Sequence, residues 1–190
     1  MSQAGIRPRN HPKQVRTRQS ELFHESGGLD SVDDRRTPRE LFDVLHAEFR
    51  FTIDAAASAD NALLPRYWDK HDDALSKYWR GERVWCNPPY SALPAWVGQA
   101  SHQVMLGDCP LVVMLLPADR TEQPWWQTYI EPERDRGLGI TTRFIRKRVK
   151  FGLPPTHPDA DKGLANGKKG GGYRYPPFGC VLVIFEGQRQ

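Results

Sequence analysis

The 190-residue chain is poor in several features that would commit it to a class at once. It holds three cysteines, Cys86, Cys109 and Cys180, an odd number with no metal-ligand spacing. That argues against a disulfide framework and a structural zinc module, and fits a reducing cytosol. No apolar run approaches the ~18–20 residues of a membrane span, and mean hydropathy is −0.65, so no membrane partner is expected. Residues 1–20 lack the apolar stretch of a secretory signal. His71, His102 and His157 are scattered and no pair has ligand spacing, so no metal is assigned. No internal repeat is visible. At roughly 100–200 residues per domain, one domain is expected.

Charge is present, but unevenly placed. The chain carries 27 Lys plus Arg against 23 Asp plus Glu, a net of +4. Arg7, Arg9, Lys13, Arg16 and Arg18 fall within residues 1–20 with no acid among them, which leaves 22 bases and 23 acids for the rest. The body is therefore balanced and the excess sits in a tail. Such an arm suits the phosphates of a nucleic acid, and equally a solvated, disordered terminus. Residues 1–35, polar and without periodicity, read as a disordered basic tail, and 36–190 as the ordered domain.

Order is expected to begin at Thr37, an N-cap, with Pro38 at the first helical position. Leu41, Phe42, Leu45 and Phe49 then recur at helical spacing. Residues 51–54 (FTID) read as a short strand ending in an acid and small residues. Residues 83–86 (RVWC) read as a second strand, residues 94–105 as a helix, and residues 111–116 (LVVMLL) as a strand buried on both faces. A helix from Trp125 to Ile130 follows, its two tryptophans read as core. Residues 141–151 alternate, with Phe144, Ile145 and Val149 apolar between Arg143, Arg146, Lys147, Arg148 and Lys150, which predicts an edge strand. A long Gly- and Pro-rich loop, 152–179, leads to a last strand, 180–185. The pattern describes an α/β sheet, mostly parallel, closed by an antiparallel C-terminal strand pair.

The most informative stretch is Asn87-Pro88-Pro89-Tyr90, directly after a strand. Two prolines fix their own φ and push the preceding residue away from helix. The turn therefore aims the Asn87 side chain and the Pro88 carbonyl outward together, at the carboxyl end of a strand, where open α/β sheets bind ligands. Two such acceptors can take both hydrogens of a substrate –NH2, and Tyr90 offers a ring to stack on. An exocyclic nucleobase amine is a poor nucleophile because its lone pair is delocalised. Accepting both N–H groups favours the pyramidal form that can attack, so no Ser, Cys or His nucleophile is needed.

With these residues the chain resembles the phage-type DNA N6-adenine methyltransferases, a Dam-like branch of the S-adenosylmethionine-dependent amino-methyltransferases. The resemblance spans roughly residues 37–186. It rests on Thr37-Pro38, the block 51–56 (FTIDAA), Pro65-Arg66-Tyr67, the block 72–75 (DDAL), the block 85–90 (WCNPPY), Leu115-Leu116-Pro117 followed by Trp125-Trp126, the blocks 143–145 and 150–152, and 181–185 (VLVIF). It implies methyl transfer from S-adenosylmethionine to the N6 amine of an adenine flipped out of DNA, without a metal. Asn87, Pro88, Pro89 and Tyr90 would form the catalytic turn. Thr37, Pro38, Asp54, Ala55 and Ala56 would border the cofactor, with Asp72 or Asp73 against its adenosine. Asp54 could instead cap a following helix, and Asp73 could be a surface acid.

Two departures bear on this. No Gly-x-Gly loop follows the first strand, and only 32 residues separate Asp54 from Asn87. A reduced Rossmann-like sheet of about five strands is therefore expected. The loop 152–179 is long; its Lys168, Lys169 and Arg174, with flanking Gly and Tyr, suit phosphate contact and base stacking or a plain insertion. Arg146, Lys147 and Arg148 are the other candidate DNA contacts. An RNA amine, a protein glutamine, or DNA binding without catalysis are the competing functions.

Overall fold

The computed structural model describes residues 33, 35–137, 139–153, 173–174 (backbone only) and 176–187. Among them, in chain order, lie α1 (Arg39–Phe49), β1 (Ile53–Asp54), β2 (Arg83–Cys86), α2 (Leu93–Met105), β3 (Leu111–Pro117), α3 (Pro124–Tyr129), β4 (Ile140–Phe144), β5 (Phe151–Gly152), β6 (Tyr173–Arg174) and β7 (Cys180–Glu186). Residues 1–32, 154–172 and 188–190, which hold the basic arm and most of the expected long loop, lie outside the described residues.

Helix α1 buries Phe42, Leu45 and Phe49, the apolar stripe expected from its spacing. Its start differs from the expected one. Pro38, extended at ψ 135°, is the N-cap, and its carbonyl accepts the Phe42 N–H at 3.1 Å. The Thr37 hydroxyl is enclosed and makes no hydrogen bond, so it does not cap the helix. The helix stops at Arg50, whose left-handed φ of 51° lets its N–H return to the His46 carbonyl.

The five-stranded sheet has the order β1-β2-β3-β7-β4. β1, β2 and β3 are parallel, and β7 runs antiparallel to both β3 and β4. Four strands thus share one direction, and the last one is inserted against it. β3 is buried along its whole length and β7 at all but Glu186, so both read as continuous apolar runs, as strands covered on both faces must. Trp85 packs edge-on against Phe42 of α1, while α2 packs on α3, β3 and β7. Trp125 and Trp126 are core, as expected.

The expected edge strand 141–151 is shorter than its alternation suggests. β4 pairs with β7 only from Ile140↔Phe185 to Phe144↔Val181, and Ile145 N–H takes the Cys180 carbonyl. There β7 begins and offers no further partners, so the chain leaves the sheet. Phe144, apolar in that alternation, is 60% exposed. Arg143 is not a free cation: it forms two hydrogen bonds with Glu48 of α1, at 2.7 and 2.8 Å. The loop 152–179 is not wholly irregular either, since β6 pairs with β5 in a short antiparallel ribbon.

The direction of the strands decides where chemistry can occur. The carboxyl ends of β1 to β4 and the amino end of β7 meet at one end of the sheet. Asp54, Asn87 and residues 145–148 lead out there, and Phe178 leads in.

Candidate active site

β2 runs fully buried through Val84, Trp85 and Cys86 and releases the chain into Asn87-Pro88-Pro89-Tyr90. Pro89 is extended (φ −58°, ψ 125°), and its carbonyl is taken by the Ala92 N–H in a 3-10 turn at 3.1 Å. α2 follows at once, with Pro94 in its first turn, where a missing N–H costs nothing. The Asn87 side chain is fixed by one contact: Nδ2 donates to the Arg35 carbonyl at 2.8 Å. Its Oδ1 is enclosed and has no partner. A buried amide oxygen without a donor is uncommon and marks a place built for one.

Tyr90 sits differently from the expectation of an open stacking face. It is only 3% exposed, its hydroxyl donates to the Leu115 carbonyl at 3.4 Å, and its ring lies 5.9 Å from that of Phe178. Burial pushes the phenol well above its usual range, so it stays neutral. On the other side of the turn Arg120 Nη1 donates to the Tyr90 carbonyl at 3.3 Å. Tyr90, Ser91, Asp119, Arg120, Gln123 and Trp125 line an open cavity of about 470 Å³ there.

Asp54 ends β1 and is buried. No helix follows it, so it is not a helix cap. Its Oδ2 accepts the Leu63 N–H at 3.2 Å, and the Ala56 amide also donates to it. Burial nevertheless outweighs those donors and raises its pKa to about 6. Ala55, buried beside it, donates its N–H to the Trp85 carbonyl. Residues 66–68 fold back along β1, with Trp68 N–H on the Asp54 carbonyl and Ala57 N–H on the Trp68 carbonyl. Asp73, held at φ 53°, has an enclosed Oδ1 without a partner, as does the Thr37 hydroxyl. Three of the residues expected to form the site therefore hold buried oxygens without a donor: Thr37, Asp73 and Asn87. Asp54 adds a buried carboxylate to these three.

Asp33 and Arg35, expected to belong to the tail, pack against the Asn87–Tyr90 turn. The Asp33 carboxylate accepts from Ser91 N–H at 2.9 Å and Ser91 Oγ at 2.6 Å. Arg36 exchanges both backbone hydrogen bonds with Gly152, at 3.1 and 2.9 Å. Arg35 lies between these anchors, its guanidinium carbon 5.7 Å from the Phe151 ring centroid and 5.4 Å from that of Phe178.

Against known families, the model of DNA N-6-adenine-methyltransferase (Dam) matches residues 26–184. The chain belongs to this family. A relative named DNA N-6-adenine-methyltransferase, from Escherichia phage T1, is 33% identical over 87 residues, which is 45% of this chain and 36% of the relative. The match thus spans little more than a third of that relative's length.

The Dam match begins upstream of Asp33 and takes in Asp33 and Arg35, which sequence reasoning left in the tail. Arg35 carried no signal because it stands in a polar, Arg-containing stretch, and its ring partners lie more than a hundred residues away. Of the expected phosphate contacts, Arg146, Lys147 and Arg148 are exposed in the bend that follows β4, at the Asn87 end of the sheet. Lys168 and Lys169 lie outside the described residues. Arg174 is known here by its backbone alone, paired with Phe151 in the ribbon. The three cysteines are buried, and burial raises each thiol, Cys180 to about 11 and Cys109 to about 12. None is a thiolate nucleophile near neutral pH.

Proposed function

We propose that this chain transfers the methyl group of S-adenosylmethionine to the N6 amine of adenine in DNA. The observation that carries the reading is the Asn87 amide, whose nitrogen is committed to the Arg35 carbonyl and whose oxygen is buried without a donor. In the proposed complex Asn87 Oδ1 accepts one N–H of the adenine amine and the Pro88 carbonyl accepts the other. Pro89 holds that carbonyl in place by committing its own to Ala92. Withdrawing both N–H groups into fixed acceptors localises the nitrogen lone pair, and no reorganisation is required when charge develops.

S-adenosylmethionine would supply a methyl carbon made electrophilic by its sulfonium. The buried acceptors of Thr37 and Asp73, the Asp54 carboxylate and the small side chains of Ala55 and Ala56, with Pro38 shaping the approach, fit its hydroxyl, ammonium and sulfonium groups. Transfer would be direct: as the N6–carbon bond forms the carbon–sulfur bond breaks, S-adenosylhomocysteine leaves, and the amine loses one proton to water, while the buried thiol of Cys86 and the neutral phenol of Tyr90 take no covalent part. An adenine within a duplex would have to leave its stack to reach Asn87. Tyr90 would hold it once the Phe178 ring yields. Arg146, Lys147 and Arg148, with Lys168, Lys169 and Arg174 of the long loop, would take the phosphates. The site of action would be the cytoplasm that holds the DNA.

The test is transfer of labelled methyl from S-adenosylmethionine to DNA, followed by digestion and separation of nucleosides. N6-methyladenine is expected, and Asn87→Ala should lower the rate by about a hundredfold or more, as removal of a preorganised hydrogen-bonding group does. Undiminished transfer by Asn87→Ala would sink the mechanism. Label found only in RNA or protein would redirect the function.

A further inference from the structure

Arg35 is a cation in an unusual setting. Its Nε and Nη1 are enclosed and make no hydrogen bond, and among the described residues no carboxylate pairs with it. Two aromatic rings, Phe151 and Phe178, lie near it. Ring faces attract a guanidinium through its flat side, whereas its N–H bonds radiate in its own plane. The rings therefore offset part of the cost of burial and leave the donors unused. Leaving enclosed donors of a charged group without acceptors is costly unless a ligand completes them.

The position narrows the ligand. The Arg35 carbonyl holds Asn87 Nδ2, so the residue with unused donors is tied directly to the residue with an unused acceptor. Phe178, one of its rings, also packs on Tyr90. A planar molecule brought to this turn meets an acceptor in Asn87 Oδ1 and donors in Arg35. It must then present a donor and an acceptor side by side. Adenine does so twice, its C6 amine being flanked by N1 and N7. Guanine carries its exocyclic amine at C2, on the other edge of the six-membered ring, and thymine has no exocyclic amine for Asn87 to hold. Cytosine carries the same adjacent pair on a smaller ring.

Resting on the proposed function, we infer that Arg35 is a base-reading residue: its guanidinium donates to the ring nitrogen beside the adenine amine while Asn87 accepts from that amine. The backbone of Arg35 orients the amide, and its side chain checks the neighbouring atom. The anchors on either side, Asp33 on Ser91 and Arg36 on Gly152, hold it in register. Gly152 permits this, since a Cβ there would come within 3.3 Å of Arg36 Cβ.

The experiment crosses one variant with two substrate analogues. Methyl transfer by the full chain is measured on DNA containing adenine, 7-deazaadenine or 1-deazaadenine. The wild type is expected to lose about tenfold or more on one analogue, the value of a hydrogen bond to a charged donor. Arg35→Met should be slower on adenine by a similar factor and show no further loss on that analogue. Arg35→Lys, which keeps the charge, should recover part of the discrimination. The ratio of rates on two DNAs is independent of the fraction folded, so a partly unfolded variant still answers. An analogue penalty undiminished in Arg35→Met, or no penalty in the wild type, would overturn the assignment of Arg35 while leaving the proposed function intact. Loss of S-adenosylhomocysteine affinity in Arg35→Met with an unchanged penalty would assign the guanidinium to the cofactor carboxylate instead. No transfer to adenine DNA by the wild type would overturn the proposed function and this assignment together.

Discussion

At Asp54 burial and charge pull against each other. Burial disfavours its ionised form, lifting the pKa from 3.8 to about 6. The folded state then holds a proton that the unfolded state has lost between those two values. Stability from this group is therefore greatest below about pH 3.8 and declines as pH rises, levelling off above about 6. The full span corresponds to about 3 kcal/mol. Asp54→Asn removes this dependence. Its stability relative to the wild type is expected to rise between pH 4 and pH 7, read from denaturant midpoints at each pH; a pH-independent difference would contradict the buried, ionising carboxylate. Asp54 and Asn87 stood out in the sequence because one ends a short strand and the other directly follows one, with chemistry that turns rarely need. Arg35 was not legible, because the rings that surround it are brought to it by the fold. Tyr90 was half legible: its place in the turn was read, its burial under Phe178 was not.

Elements with an unbroken period were read well, and those defined by a partner were not. α1, α2, β3 and β7 follow from spacing or from bounded apolar runs. β4 was overextended because alternation in residues 141–151 continues past the point where β7 stops offering hydrogen bonds. The junction of these two strands is tight at its other end. Gly139 adopts φ +97°, and a Cβ there would stand 2.6 Å from the Glu186 carbonyl oxygen, whose N–H in turn donates to Gly139. Gly81 has a similar left-handed φ of +73° in open space. Gly81→Ala should cost about 1 kcal/mol, the conformational penalty alone. Gly139→Ala should cost about 3 kcal/mol, since strain and a backbone clash add. Chemical denaturation of both variants compares them, and equal losses would show that the β4 junction can shift.

Over the whole molecule, the sequence puts the excess positive charge in residues 1–20 and leaves the body balanced, and topology shows where one basic cluster of that body lies. Four strands point their carboxyl ends the same way, so the exposed Arg146, Lys147 and Arg148 emerge at the end of the sheet that holds Asn87. If they meet phosphates, replacing all three with Ala should flatten the slope of log affinity for DNA against log salt by about 2.7. An unchanged slope would move the phosphate path elsewhere. The sheet order also has a consequence in time. β7, the last-made strand among the described residues, is the one on which the sheet closes, with β3 on one side and β4 on the other. On a ribosome, β4 has no neighbour and the apolar edge of β3 lies bare until residues 180–186 are made. A nascent chain therefore cannot complete the sheet until these residues leave the exit tunnel, and a message cut short before them would yield an aggregation-prone fragment rather than a slightly less stable fold.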